Sequence, residues 1–291
     1  MPPGSDRPVL VTGATGEVGG RVARALAGSG VATRLFVRSA ERAPALAGSA
    51  IVQGTYADPA TCDAALAGVD TVFMVSATES PDRLREHQNF VHAAAAAGVQ
   101  HVVYTSFAGA SPTATFTFAR DHFATEQLIR RSGMKFTFLR DNFYLDVLVH
   151  WVGQDGVIRG PAGEGAVAAV ARDDVAAVAT TVLRAPEAST DATYTLTGPE
   201  ALRLAQVAET IGGVTGRATG YHPQTVPEAY ESRASYNAPQ WQLDAWVSTY
   251  TAIAAGELDQ VSPDVERLLG RPATSLEQLL RGPHRPGARL R

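Results

Sequence analysis

The sequence predicts an α/β fold: a doubly wound, mostly parallel sheet followed by a smaller C-terminal α+β lobe. Three observations predict it. Short apolar runs alternate with helical stretches through the first half of the chain. Those runs are apolar at nearly every position, as strands buried on both faces must be. The first run, Val9-Leu10-Val11, leads through Gly13-Ala14-Thr15-Gly16-Glu17-Val18-Gly19-Gly20 into a helix with Val18, Val22 and Leu26 on one face.

Strand, glycine turn and helix make the Rossmann junction that receives the pyrophosphate of a dinucleotide. Gly13 permits the tight turn, Gly16 lets the backbone approach the phosphates, and Gly19 lets the helix pack close to the strand. Thr15, Glu17 and Val18 share the loop and the helix N-terminus, where unpaired N–H groups and the helix dipole favour an anion.

The expected strands are 9–12, 33–37, 51–55, 71–76, 101–106 and 135–140. Helices are expected near 18–27, 59–67, 82–97 and 120–132, with Gly30, Gly68, Gly98 and Gly133 placed where helices stop. After Asp146 the rhythm changes. Residues 153–165 are glycine-rich and read as a loop with a short hairpin. Asp173 or Asp174 caps a helix carrying Val175, Val178, Val182 and Leu183. Residues 193–197 read as a strand that rejoins the main sheet. Pro199 opens the next helix, and further helices are expected at 240–255, 263–269 and 275–280, the last with Thr274 and Glu277 as its N-terminal signal. Residues 1–150 are thus expected to form the dinucleotide-binding domain, completed by a strand near 193–198. Residues 151–291 are expected to form mainly the substrate lobe, with a disordered tail at 282–291.

Composition excludes several classes. The chain has 291 residues, 45% hydrophobic and 19% charged, as an ordinary globular protein does. No apolar run approaches the roughly 20 residues that span a bilayer, and residues 1–8 lack the apolar segment of a signal peptide. A net charge of −4 gives no nucleic-acid footprint. Cys62 is the only cysteine, which removes intrachain disulfides and thiolate metal clusters and fits a cytoplasmic protein. The histidines show no metal-binding spacing, and there is no nucleophile elbow or Gly-Lys-Ser/Thr phosphate loop.

The end of the second strand favours NADP over NAD. It ends in Arg38-Ser39, and Arg38 stands 19 residues after Gly19. A carboxylate at that tip binds the ribose 2′-hydroxyl of NAD; a guanidinium there suits the 2′-phosphate of NADP. Glu41 is an alternative ribose ligand. Asp58 either lies beside the adenine or caps the helix at Pro59. Ser76 and Ala77 after the fourth strand, and Thr105 and Ser106 at the end of the fifth, lie on the carboxyl edge where ligands bind. Asn142, Phe143 and Tyr144 follow the sixth strand and are candidates to cover the nicotinamide.

Several segments resemble the NmrA-like group of atypical short-chain dehydrogenases. They are Gly13–Gly19, Phe36-Val37-Arg38, Val103-Tyr104-Thr105-Ser106, His122–Glu126, Phe138–Tyr144, Ala171–Ala176 and Leu269–Leu276. The NADPH-dependent quinone oxidoreductase branch is the most similar in character. In typical short-chain dehydrogenases a Tyr-x-x-x-Lys pair protonates the reduced carbonyl. Aligned on that helix, Phe118 takes the tyrosine place and His122 the lysine place.

The resemblance therefore implies hydride transfer from NADPH to a quinone or another conjugated acceptor, whose reduced anion is less basic than an alkoxide. His122, Ser106 and Tyr144 are the candidate groups for binding or protonating it. A non-catalytic NADP(H)-reading regulator and a biosynthetic reductase, isomerase or cyclase acting on an aromatic or polyketide-like intermediate are the alternatives. The expected partner is a small conjugated molecule rather than nucleic acid, membrane or metal, and a homodimer is compatible with the sequence.

Overall fold

The computed structural model describes residues 7–282. Most of the expected tail at 282–291 therefore lies outside the described residues.

The first half alternates as the apolar rhythm requires. In order come β1 (Val9–Thr12), α1 (Glu17–Gly28), β2 (Thr33–Val37), β3 (Ser49–Gln53), α2 (Pro59–Leu66), β4 (Thr71–Met74), α3 (Arg83–Ala96), β5 (His101–Phe107), α4 (Thr117–Arg131) and β6 (Lys135–Asp141). The remainder is α5 (Leu145–His150), β7 (Val157–Gly160), β8 (Ala166–Val167), α6 (Arg172–Arg184), β9 (Ala192–Leu196), β10 (Leu202–Arg203), α7 (Leu204–Thr215), β11 (Gly220–Pro223), α8 (Val226–Arg233), α9 (Gln240–Ala254), α10 (Asp264–Leu269) and α11 (Leu276–Arg281).

Seven strands form one sheet in the order β3-β2-β1-β4-β5-β6-β9. The pairs β1–β2, β2–β3, β1–β4 and β4–β5 are parallel. The order reverses direction at β1, so its carboxyl end opens into a crevice between the connections that leave on either side. One side of the core gathers Leu10, Val72, Val102, Tyr104 and Phe138 from the strands with Phe90 and Ile129 from α3 and α4, all at most 1% exposed. Gly30, Gly68, Gly98 and Gly133 all take positive φ where helices end, a conformation other residues adopt only with strain.

Two compact units are interleaved along the chain. One comprises the described residues to Phe107 with Asp121–Arg140 and Val175–Tyr194; the other comprises Ala108–Arg120, Asp141–Asp174 and the described residues from Thr195. The interleaving has a topological cause: β9 joins the main sheet after the chain has left it.

The later half departs from the sequence reading in four places. The expected hairpin within 153–165 reduces to a single antiparallel bridge, Val152 to Ile158; β7 instead pairs in parallel with the distant β11. Neither Asp173 nor Asp174 stands before α6; both lie in its first turn. The Arg172 amide is instead capped by Asp146 Oδ2 at 3.0 Å. The helix expected at Pro199 begins at Leu204, after β10. The capping box of α11 is Ser275 with Gln278, because Thr274 is engaged elsewhere. The Thr274 amide and hydroxyl donate to the buried Asp174 carboxylate at 2.6 and 3.1 Å, joined by Arg271 Nη2 at 2.7 Å. No helix among the described residues is long and apolar enough to cross a membrane.

Candidate functional site: a crevice at the carboxyl edge of the sheet

The crevice is lined by Thr12, Gly13, Thr15 and Gly16, by residues 36–38 at the end of β2, by 54–56 after β3, and by 75–78 after β4. The backbone geometry of its glycine turn fits a phosphate-bearing ligand. Gly13 has φ +62°, and a Cβ on Gly19 would stand 2.5 Å from the Gly13 carbonyl oxygen and 2.6 Å from that of Thr12. Helix α1 can approach β1 this closely only because Gly19 has no side chain. Gly16 is extended and exposed as the residue before α1. The amides of Thr15, Val18 and Gly19 take no hydrogen bond within the described residues, so the helix mouth presents unpaired donors beside the crevice.

Arg38 is exposed at the rim, and its guanidinium makes no hydrogen bond or ion pair with a described residue. Ser39 precedes a short 3₁₀ turn and is absent from the lining, as is Asp58. Asp58 caps α2 through the Ala60 amide at 3.1 Å, the second of its two expected roles. Glu17 pairs with Arg21 on the surface of α1, and Val18 is buried in the core.

The wall after β4 is held by side chains. Three successive amides are consumed: Val75 N–H donates to Thr12 Oγ1 at 2.8 Å, Ser76 N–H to Thr105 Oγ1 at 2.9 Å, and Ala77 N–H to His87 Nε2 at 2.8 Å. Tyr56 Oη donates to the Val75 carbonyl at 2.8 Å and lies 2.6 Å from Thr12 Oγ1. Arg83 Nε donates to the Ala77 carbonyl at 3.0 Å. Thr105 therefore reaches the crevice through Ser76 rather than by lining it.

His122 belongs to the same network. Arg83 Nη2 lies 2.9 Å from its Nε2, and Tyr104 Oη lies 2.9 Å from its Nδ1. A guanidinium only donates, so Nε2 accepts and the ring proton sits on Nδ1, donated to Tyr104. Burial first, and the Arg83 charge second, hold this imidazole well below its ordinary pKa. His122 is thus a neutral bracket for Arg83, with both nitrogens engaged. Ser106 is also engaged. Its hydroxyl donates to Glu126 Oε1 at 2.6 Å, and the buried Glu126 accepts Arg140 Nε and Nη2 at 2.8 and 2.7 Å. Both expected catalytic groups thus have their polar atoms in internal hydrogen bonds.

The segment after β6 belongs to the second unit. Asn142 Nδ2 donates to the Leu258 carbonyl at 2.9 Å, and its Oδ1 accepts the Phe143 amide at 2.7 Å. The Phe143 ring meets Phe116 and Trp151, with centroids at 5.2 and 6.3 Å. Tyr144 Oη donates to Asp141 Oδ2 at 2.9 Å. The same unit contains a recess of about 500 Å³, walled by Trp151, Tyr236, Trp246 and Tyr250 and by the cations Arg159 and Arg233. Arg233 lies 5.1 Å over the Tyr250 ring.

The sequence reading missed Tyr56, His87, Arg83 and Asp141. Only Tyr56 carried a local signal, as an aromatic just after the third strand, the position from which it reaches the crevice.

Residues 5–277 match the NmrA-like family. The chain is 31% identical over 275 residues to the NAD(P)H azoreductase of Xenophilus azovorans, covering 93% of this chain and 96% of that one. It is 36% identical over 271 residues to a (4-alkanoyl-5-oxo-2,5-dihydrofuran-3-yl)methyl phosphate reductase of Streptomyces griseus, covering 91% and 94%. Among solved structures, the NADPH-dependent quinone oxidoreductase of Escherichia coli complexed with NADPH superposes with a TM-score of 0.84 at 29% identity, covering 93% and 97%.

Proposed function

The chain belongs to the NmrA-like family, and from that premise we propose that it is an NADPH-dependent oxidoreductase that reduces a quinone or another conjugated acceptor. The observation that carries this reading is the crevice at Gly13–Gly16 with an unpaired guanidinium, Arg38, at its rim. When bound there, a reduced nicotinamide cofactor supplies a hydride. The amides of Thr15, Val18 and Gly19 would hold its pyrophosphate, and Arg38 its 2′-phosphate.

The chain's own contribution on this side is order. Thr12, Thr105, His87 and Arg83 hold the 75–77 backbone in one place, so the wall needs no rearrangement as a ligand enters. Those three amides are already used, so residues 75–77 face a ligand with side chains rather than with free N–H groups.

The acceptor class draws on two supports. The relatives are named for an azo compound, a quinone and an unsaturated lactone phosphate, each a conjugated system. The recess among Trp151, Tyr236, Trp246 and Tyr250 offers ring faces, and Arg159 and Arg233 add positive charge, a combination suited to a planar acceptor bearing an anionic group. The test is steady-state NADPH oxidation with a panel of quinones, azo compounds, enones and simple ketones. The reading expects turnover with the conjugated members and little with simple ketones. NADPH binding without oxidation by any acceptor would contradict it.

A further inference from the structure

Glu86 is the one acidic side chain in the lining of the crevice among the described residues, and Arg38 is the only other charged one. A carboxylate in that wall is unexpected. The glycine turn and Arg38 favour an anion, and a carboxylate beside them repels one. Its presence favours binding only where the ligand brings a hydrogen-bond donor to it.

The fold places Glu86 at one particular end of the crevice. It stands in the first turn of α3. Asn89, three residues on and so on the same helix face, donates from Nδ2 to the Tyr56 carbonyl at 3.2 Å. That face is therefore turned toward the 54–56 segment after β3. The Tyr56 phenol records the same closeness: burial, first, raises its pKa above the ordinary value, and the charge of Glu86 adds to the rise. Glu86 itself is half-buried. Its Oε1 has one long contact, with Ser80 Oγ at 3.4 Å, and its Oε2 makes no hydrogen bond with a described residue. The neighbouring cation, Arg85, pairs with Asp82 at 2.9 Å instead.

That end is where NADPH would carry its base. Adenine and the 2′-phosphate share one ribose, so a 2′-phosphate at Arg38 brings the base among the tips of β2 and β3. Asp58, expected from sequence either beside the adenine or as a cap, caps α2 and stays out of the lining. Glu86 is the carboxylate that remains in the wall. Adenine carries a single donor group, its exocyclic amine.

We propose that Glu86 accepts a hydrogen bond from the adenine amine and so makes the crevice selective for an adenine-bearing cofactor. The proposal rests on the reductase reading above, through its NADPH site. A carboxylate accepting from that amine makes a charge-assisted bond, which offsets the repulsion between Glu86 and the phosphates. Hypoxanthine in place of adenine turns the amine into a carbonyl oxygen, and that oxygen would face the carboxylate as a second acceptor. Glu86 is thus a specificity-determining residue of the cofactor site and takes no part in hydride transfer.

The test is equilibrium titration of the full chain, wild type and Glu86→Gln, with NADPH and with deamino-NADPH, its hypoxanthine analogue. The wild type is expected to bind NADPH about tenfold tighter than the analogue. A glutamine amide can accept from an amine or donate to a carbonyl. Glu86→Gln should therefore weaken NADPH binding by about three- to tenfold and bring the two Kd values within about twofold of each other. The sign separates this from a carboxylate that only stands in the wall. Removing an unpartnered negative charge from an anion site tightens both cofactors alike, so an NADPH Kd that falls or stays unchanged in the variant overturns the proposal. A wild type that binds both cofactors equally also overturns it, and this comparison needs no variant to fold. In both of those cases NADPH still binds saturably, and the NADPH site stands. A wild type that binds neither cofactor saturably removes that site and the proposal together.

Discussion

His87 Nε2 accepts the Ala77 amide at 2.8 Å, which ties a buried histidine of α3 to the wall of the cofactor crevice. Its Nδ1 lies 2.8 Å from Thr125 Oγ1, which in turn donates to the Asp121 carbonyl at 2.7 Å. The acceptor role requires a neutral ring, and burial, reinforced by Arg83, keeps the pKa well below its ordinary value. A histidine depressed in the folded state binds its proton more readily when unfolded. Its stabilisation is therefore full above the unfolded pKa near 6.5 and is lost as pH falls below it. Urea denaturation should show the midpoint falling between about pH 7 and pH 5, with a smaller fall in His87→Ala. That variant should also be less stable at pH 7 by about 1–3 kcal/mol, since it empties the space of a fully buried ring and takes the partner from the part-buried Ala77 amide.

Asp141 gives the opposite sign. Burial lifts its folded pKa above its unfolded one, so its contribution is full below about pH 4 and is lost as pH rises toward about 8. Asp141→Asn removes that loss. Thermal unfolding should find the variant more stable than the wild type at pH 8, with the difference shrinking toward pH 4. An unchanged difference across that range would mean that Asp141 does not titrate in this window.

Gly19→Ala tests the close approach of α1 to β1. The added carbon meets two backbone carbonyl oxygens, from Gly13 and Thr12, that cannot swing aside. A loss of about 1–3 kcal/mol is expected from chemical denaturation, together with weaker NADPH binding because the phosphate turn must shift. Gly28→Ala, where an added carbon meets nothing, serves as the control and should not lose stability.

The recess of the second unit predicts acceptor selectivity. Arg233→Met removes positive charge beside the Tyr250 ring while keeping an apolar side chain. KM for a sulfonated quinone should rise by about tenfold, as loss of one charge-assisted hydrogen bond implies. KM for an uncharged quinone should stay within about twofold. Equal changes for both acceptors would remove the recess from the account.

The parts legible in sequence are those written locally. The glycine turn, the apolar strands and the helix-ending glycines each carry their conformation within a few residues. Even β9 was recognisable as a strand returning to the sheet. What escaped depends on distant partners. His122 reads as a candidate acid until Arg83 and Tyr104, 39 and 18 positions away, occupy its two nitrogens. Asp174 reads as a cap until Thr274, 100 positions on, takes its carboxylate. β7 finds β11 across some sixty residues of chain, a pairing no local pattern encodes. Asp141 stands beside Asn142 and Tyr144 in plain view, but nothing in a linear sequence shows that one of its oxygens is buried without a partner.

The central claim is that a 2′-phosphorylated dinucleotide docks at the Gly13–Gly16 turn and is recognised by Arg38. Equilibrium titration of the wild type and Arg38→Gly with NADPH and NADH tests it most directly. The account predicts saturable NADPH binding, tighter than NADH by about 10- to 100-fold, as loss of a charge-assisted pair implies. In the variant that preference should collapse, with NADH affinity nearly unchanged. Equal affinity of the wild type for both cofactors, or no saturable binding of either, would contradict it.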